Sequence, residues 1–135
     1  MENEFLKLIE TRRSCRKYLP EQITDEELNA VLRAGTFAPT GMGWQSPFIV
    51  AVQQEQMKEK LAAMNAAVRG KSGNPYYDAP TYVLVFAPTD CPFAIQDGTC
   101  VLENMMLAVM QTKSEEEREK VVSEHYAVLK RIMAE

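Results

Sequence analysis

Two short apolar runs, Phe48-Ile49-Val50-Ala51-Val52 and Tyr82-Val83-Leu84-Val85-Phe86-Ala87, are the only segments of this chain that read as good strands. Their β-branched content and their flanking prolines Pro47, Pro80 and Pro88 favour strand over a buried helix turn. A strand pair alone is marginal in water, so any fold built on these two needs further cover for its sheet. The chain has 135 residues, enough for one domain with a modest core.

The remaining periodic segments read as helices. Phe5, Leu6, Leu8 and Ile9 fit a short amphipathic helix, and the segment after it closes at Pro20. Thr24-Asp25-Glu26-Glu27 has the form of a capping box; Leu28, Val31 and Leu32 give the stripe behind it, and Gly35 is placed to stop the helix. Residues 54–69 predict a third helix, with Met57, Leu61, Met64 and Val68 as its packing stripe and Gly70 as its stop. Asp97 is placed to cap a fourth, which runs through Val101, Leu102, Met105, Met106 and Val109. Ser114-Glu115-Glu116-Glu117 repeats the capping-box pattern. Val121, Val122, Tyr126, Leu129, Ile132 and Met133 then mark a terminal amphipathic helix over residues 111–135, with Lys130 and Arg131 near its end.

Composition removes several classes of function. Apolar content of 46% and charged content of 25% are those of an ordinary globular domain. A net charge of −4 argues against a general nucleic-acid surface. No apolar run reaches the ~20 residues that span a bilayer, and Met1-Glu2-Asn3-Glu4 is unlike a signal peptide. Cys15, Cys91 and Cys100 make no Cys-x-x-Cys pair and read as free thiols, so the expected location is the reducing cytoplasm, away from membranes. One histidine, His125, reads as an ordinary helix residue, and with the scattered cysteines it gives no zinc constellation. Neither glycine-rich nucleotide-binding loop is present. Asp78, Asp90 and Asp97 read as turn and cap residues, and residues 115–120 as a solvated helix face.

Two stretches remain that can carry chemistry. Thr11-Arg12-Arg13-Ser14-Cys15-Arg16-Lys17 packs four cations and a hydroxyl into an acidic chain. Arginine forks match phosphate oxygens, so the stretch is either a solvated basic turn or a clamp for a small anionic ligand. Ala38-Pro39-Thr40-Gly41-Met42-Gly43-Trp44-Gln45-Ser46-Pro47 leads into the first strand. Few bulky side chains there let the backbone approach a flat ligand closely, while Trp44 reads as a core or interface anchor.

In order and spacing these pieces resemble the FMN-dependent nitroreductase family of flavin oxidoreductases. The resemblance rests on Arg12-Arg13-Ser14-Cys15-Arg16 and on Ala38-Pro39-Thr40 with Gln45. It continues in Tyr76-Tyr77-Asp78-Ala79-Pro80, then in Asp97-Gly98 leading to Leu102-Glu103-Asn104-Met105-Met106-Leu107-Ala108. It implies an α+β, three-layer fold, helices around a small central sheet, with residues 1–110 as the FMN-binding core and dimerisation completing it. It also implies a homodimer with FMN at the subunit interface and NAD(P)H as co-substrate. In that arrangement Arg12, Arg13, Ser14 and Arg16 hold the flavin phosphate, and Pro39, Thr40 and Gly41 of the partner subunit lie against the ring. Gln45 contacts the ring edge or shapes its pocket, and Asn74 is a further flavin contact. No protein side chain is expected to be catalytic, since the chemistry belongs to the cofactor. Gly43 stands where the family's loop often has an asparagine. After the fourth helix the family continues through a Gly-rich turn and further strands, for which residues 111–135 have no counterpart. A nitro- or quinone-reducing enzyme is therefore weighed against a shortened, non-catalytic relative serving as a scaffold or weak flavin-binding dimer.

Overall fold

A computed structural model describes residues 3–112, and the expected terminal helix lies outside them. The order of elements is α1 (Glu4–Thr11), α2 (Asp25–Thr36), a single 3-10 turn (Gly41–Gly43), β1 (Phe48–Val52), α3 (Glu55–Arg69), β2 (Tyr82–Phe86) and α4 (Ala94–Thr112). Four helices and one small sheet make this the α+β class. No described helix is long and apolar enough to cross a membrane.

Local chemistry accounts for the helix ends. Asn3 caps α1 by accepting from the Leu6 amide at 2.8 Å. In α2 the capping box is complete: Thr24 Oγ1 accepts from the Glu27 amide, and Glu27 Oε2 accepts from the Thr24 amide. Gly70 ends α3 in the left-handed region at φ 61°, where it has no Cβ to strain.

β1 and β2 pair antiparallel, Phe48 opposite Phe86 and Val52 opposite Tyr82. Alternation divides the ribbon into two unequal faces. Ile49, Val83 and Val85 join the core formed by Val31 and Ala38 with Val101 and Met105 of α4. On the other face Phe48 stacks on Phe86, with ring centroids 5.3 Å apart, and both stay exposed. The expectation of two buried strands is therefore corrected: the core-facing Ile49, Val83 and Val85 are half-buried, and Tyr82, at the far end of the other face, is the one strand residue fully buried. The ribbon has helices α2 and α4 on one side, and α3 approaches the other at Tyr82, where Lys58 Nζ lies 5.8 Å from the ring centroid.

Two helix readings are corrected. Gly35 does not stop α2, which continues to Thr36; it is buried where Ile49 and Met105 approach, and a Cβ would stand 2.7 Å from Ile49 Cδ1. The stripe of α3 faces outward in part, since Met57 and Met64 are exposed and Val68 is 90% exposed. Lys58 and Ala62 are the buried residues of that helix. Apolar spacing located the helix but not the side it turns toward the sheet.

Candidate functional site

The basic segment begins where α1 stops. Arg12 takes an extended conformation, and no regular structure follows until Asp25. Arg13 turns back on the helix end, its Nη1 donating to the carbonyls of Glu10 and Arg12 at 2.8 Å each. That satisfies carbonyls the helix leaves open. Arg12 Nε stands 3.7 Å from Glu103 Oε1 of α4. Ser14 and Arg16 lie exposed, and no hydrogen bond or ion pair holds either among the described residues. The segment is then anchored downstream: Tyr18 Oη donates to the Cys15 carbonyl, and Gln22 Nε2 donates to the Pro80 carbonyl just before β2. Gln22 Oε1 also accepts from the Thr81 hydroxyl.

Burial raises the Tyr18 phenol above its ordinary value, and the neighbouring Cys15 and Tyr77 raise it further against the opposing cation of Arg16. Tyr77, which acts on Tyr18 through its charge, belongs to the Asn74–Asp78 turn. Asn74 itself is fully engaged in that turn. Its amide donates to Asp78 Oδ1 at 2.8 Å and to Tyr82 Oη at 3.2 Å, and its carbonyl oxygen accepts from the Tyr76 amide at 2.9 Å. Tyr77 and Asp78, at φ 56° and 55°, complete a tight left-handed bend. A shallow cleft of about 190 Å³ opens beside them, lined by Arg69, Lys71, Ser72, Asn74 and Tyr77.

The loop before β1 is the second group. Pro39 is exposed, and Met42, Gly43 and Gln45 all take left-handed φ angles of 55°, 69° and 51°. Thr40 Oγ1 stabilises this path by accepting from both the backbone amide and the Nε2 of Gln45, each at 3.2 Å. Gln45 therefore closes its own loop with the side chain expected at a ring edge. Gly41 donates its amide to Asp97 Oδ1 at 2.8 Å. A Cβ at Gly41 would come within 2.3 Å of the Phe93 ring. Phe93 also meets the indole of Trp44 edge-on, ring centroids 6.0 Å apart, yet Trp44 stays 56% exposed and is no core anchor within this chain.

Asp97 is the residue the sequence misjudged. The spacing marked it as a cap, but α4 starts earlier, at Ala94, so Asp97 sits inside the first turn, 3% exposed, facing the loop. A glycine-rich loop and an acid at the head of a later helix were both legible; their pairing across 56 positions was not.

Within one chain, then, Arg12, Arg13, Ser14 and Arg16 form one group, while Pro39, Thr40, Gly41 and Gln45 form another. No hydrogen bond or ion pair joins the two among the described residues. Both rest on α4, at Glu103 and at Asp97, about 9 Å apart along the helix axis.

This frame of helices, with a cationic segment and a glycine-bearing loop set on one helix, is that of a flavin-oxidoreductase family. The chain belongs to the nitroreductase family, whose sequence pattern matches residues 9–113, from the end of α1 through α4. A crystal structure of a nitroreductase with bound FMN from Bacteroides fragilis superposes with a TM-score of 0.72 at 34% identity, covering 82% of this chain and 66% of that one. A nitroreductase with bound FMN from Desulfitobacterium hafniense gives 0.72 at 29% identity, with the same coverage. In sequence, the FMN reductase [NAD(P)H] of Bacillus subtilis is 29% identical over 86 residues, which are 63% of this chain and 32% of that protein. The chain thus spans about a third of the length of this curated relative.

Proposed function

We propose that this chain is an FMN-dependent oxidoreductase that works as a homodimer, passing reducing equivalents from NAD(P)H to a nitro, quinone or similar acceptor. The observation that carries the reading is the state of the basic segment. Among the described residues Ser14 and Arg16 are exposed with no hydrogen-bond or ion-pair partner, and Arg12 has a long contact to Glu103. Such donors fit a phosphate monoester, which takes charge-assisted hydrogen bonds from guanidinium groups and a hydroxyl. Arg13 spends part of its fork on the end of α1 and so orients the segment as well as charging it.

FMN, when bound, supplies two-electron transfer between a nicotinamide and an acceptor. The chain's own part is binding and orientation. Arg12, Ser14 and Arg16 hold the phosphate, while Pro39, Thr40 and Gly41 offer a low-profile backbone surface to a flat ring. Gln45 keeps that surface in shape through Thr40. The two groups stand apart in one chain, which favours a site assembled from two subunits, each lending one group. Asn74 contributes by fixing the bend that carries Tyr77.

Titration of the purified protein with FMN tests the reading. A yellow complex with one FMN per chain, formed by a dimer in sedimentation, is the expected result. Colourless protein that takes up no FMN at any concentration removes the enzyme and leaves the non-catalytic scaffold.

A further inference from the structure

The stretch from Cys91 to Asp97 touches the Gly41–Ser46 loop through three residues, Cys91, Phe93 and Asp97. Cys91 Sγ accepts from the Ser46 hydroxyl at 3.3 Å, Phe93 meets both Gly41 and Trp44, and Asp97 takes the Gly41 amide. Of these contacts only the last is a charge-assisted hydrogen bond, at 2.8 Å. Asp97 is also the one acid buried among the described residues, and its second oxygen, Oδ2, is buried without a hydrogen-bond partner.

Burying a carboxylate with an unpaired oxygen works against folding. A favourable position in the first turn of α4 requires only an exposed acid there. Neither packing nor the helix dipole therefore explains why this side chain turns inward to a loop amide. The loop itself supplies the reason. Met42 and Gln45 are non-glycine residues at positive φ, a conformation that costs about 1 kcal/mol or more each and needs outside support. Gly41 stands at the entrance to that strained stretch, and its amide is the point where support arrives.

We propose that Asp97 is a positioning residue of the candidate flavin site: by holding the Gly41 amide against the head of α4 it fixes the loop Thr40–Gln45 in the shape that meets the ring. The proposal rests on the flavin reading for its consequence, but the clamp is observable without flavin. The chain's single tryptophan, Trp44, lies inside the loop and reports its order.

The experiment compares wild type with Asp97→Ala and Asp97→Asn by acrylamide quenching of Trp44, by FMN titration and by the visible spectrum of bound flavin. Asparagine keeps an oxygen that accepts from Gly41; alanine does not. Asp97→Ala is expected to raise the quenching constant about twofold, weaken FMN binding about tenfold and shift the flavin absorption band, with Asp97→Asn within about twofold of wild type. Wild-type quenching in Asp97→Ala overturns the clamp whatever happens to FMN. If no variant, wild type included, binds FMN, the flavin reading falls and the Trp44 comparison alone decides the clamp. Should Asp97→Ala not fold, hydrogen exchange of the Gly41 amide in wild type decides it. Slow exchange supports the bond, and exchange as fast as an exposed loop amide overturns it.

Discussion

Arg12 and Glu103 face each other across 3.7 Å, Nε to Oε1, in a contact long for an ion pair and open to solvent on both sides. Such pairs add little to stability, and on the proposed reading Glu103 would compete with the phosphate for Arg12. Glu103→Gln is expected to tighten FMN binding about threefold while shifting unfolding free energy by less than about 0.5 kcal/mol. Arg12→Ala combined with Arg16→Ala is expected to weaken binding at least about tenfold, with an unchanged far-ultraviolet helical signal. Fluorescence titration with FMN reads both, and unaltered affinity in the double variant would show that the segment is not the phosphate grip.

The capping box of α2 carries a pH signature. The Thr24 amide, and then its hydroxyl, hold the Glu27 carboxylate below its usual range. A depressed folded value means the stabilisation is present above the ordinary value near 4.5 and fades as pH falls through the lower, folded one. Thermal unfolding followed from pH 6 downward should lose midpoint more steeply in wild type than in Glu27→Gln, which accepts from Thr24 without titrating. Parallel curves for the two proteins would mean the box contributes no acid sensitivity.

Tyr18 offers the opposite sign. Its phenol lies above 10.0, mainly through burial, so the associated stabilisation is intact below that ordinary value and is lost as pH climbs through the raised one. Arg16 works against the shift, and Arg16→Ala is therefore expected to move the Tyr18 titration further upward. The difference between the alkaline absorbance titrations of each protein and its Tyr18→Phe counterpart isolates the signal. A downward movement would place Arg16 elsewhere.

Two packing sites differ in how they tolerate change. Gly35→Ala puts a methyl against the ends of Ile49 and Met105, which can give way only in part, and about 1–2 kcal/mol of destabilisation is expected in urea. Lys58 is buried, its ammonium 5.8 Å from the Tyr82 ring centroid and 2.8 Å from Glu55 Oε2. Lys58→Ala is expected to cost about 1–2 kcal/mol, whereas Lys58→Met, which keeps the stem, stays within about 0.5 kcal/mol of wild type. Equal losses in the two Lys58 variants would give the weight to charge rather than to packing.

Local signals in the sequence translated well. Thr24 and Glu27 fold as their spacing reads, Gly70 ends α3, and both strands occur where Val, Ile, Tyr and Phe cluster. What escaped depends on tertiary choice. Val68 and Lys58 lie on one helix, and no periodicity says that the lysine goes inward because Tyr82 stands opposite it. Gln45 and Asn74 were expected at a flavin through the family resemblance; in this chain each closes its own loop, since nearby acceptors and donors are reached before any distant one. Asp97 has the same lesson in reverse: its partner lies in a loop that only the docking of α2 on α4 brings near.

That docking also sets how the chain must assemble. Asn104 of α4 donates to the Ala34 carbonyl of α2 across 70 positions, with the β1–β2 ribbon lying between them in sequence. Closing so long a loop costs entropy before its contacts return anything. The bend between Thr40 and Gln45 is therefore tied to the meeting of two distant helices, because the Asp97 carboxylate that holds Gly41 arrives with α4.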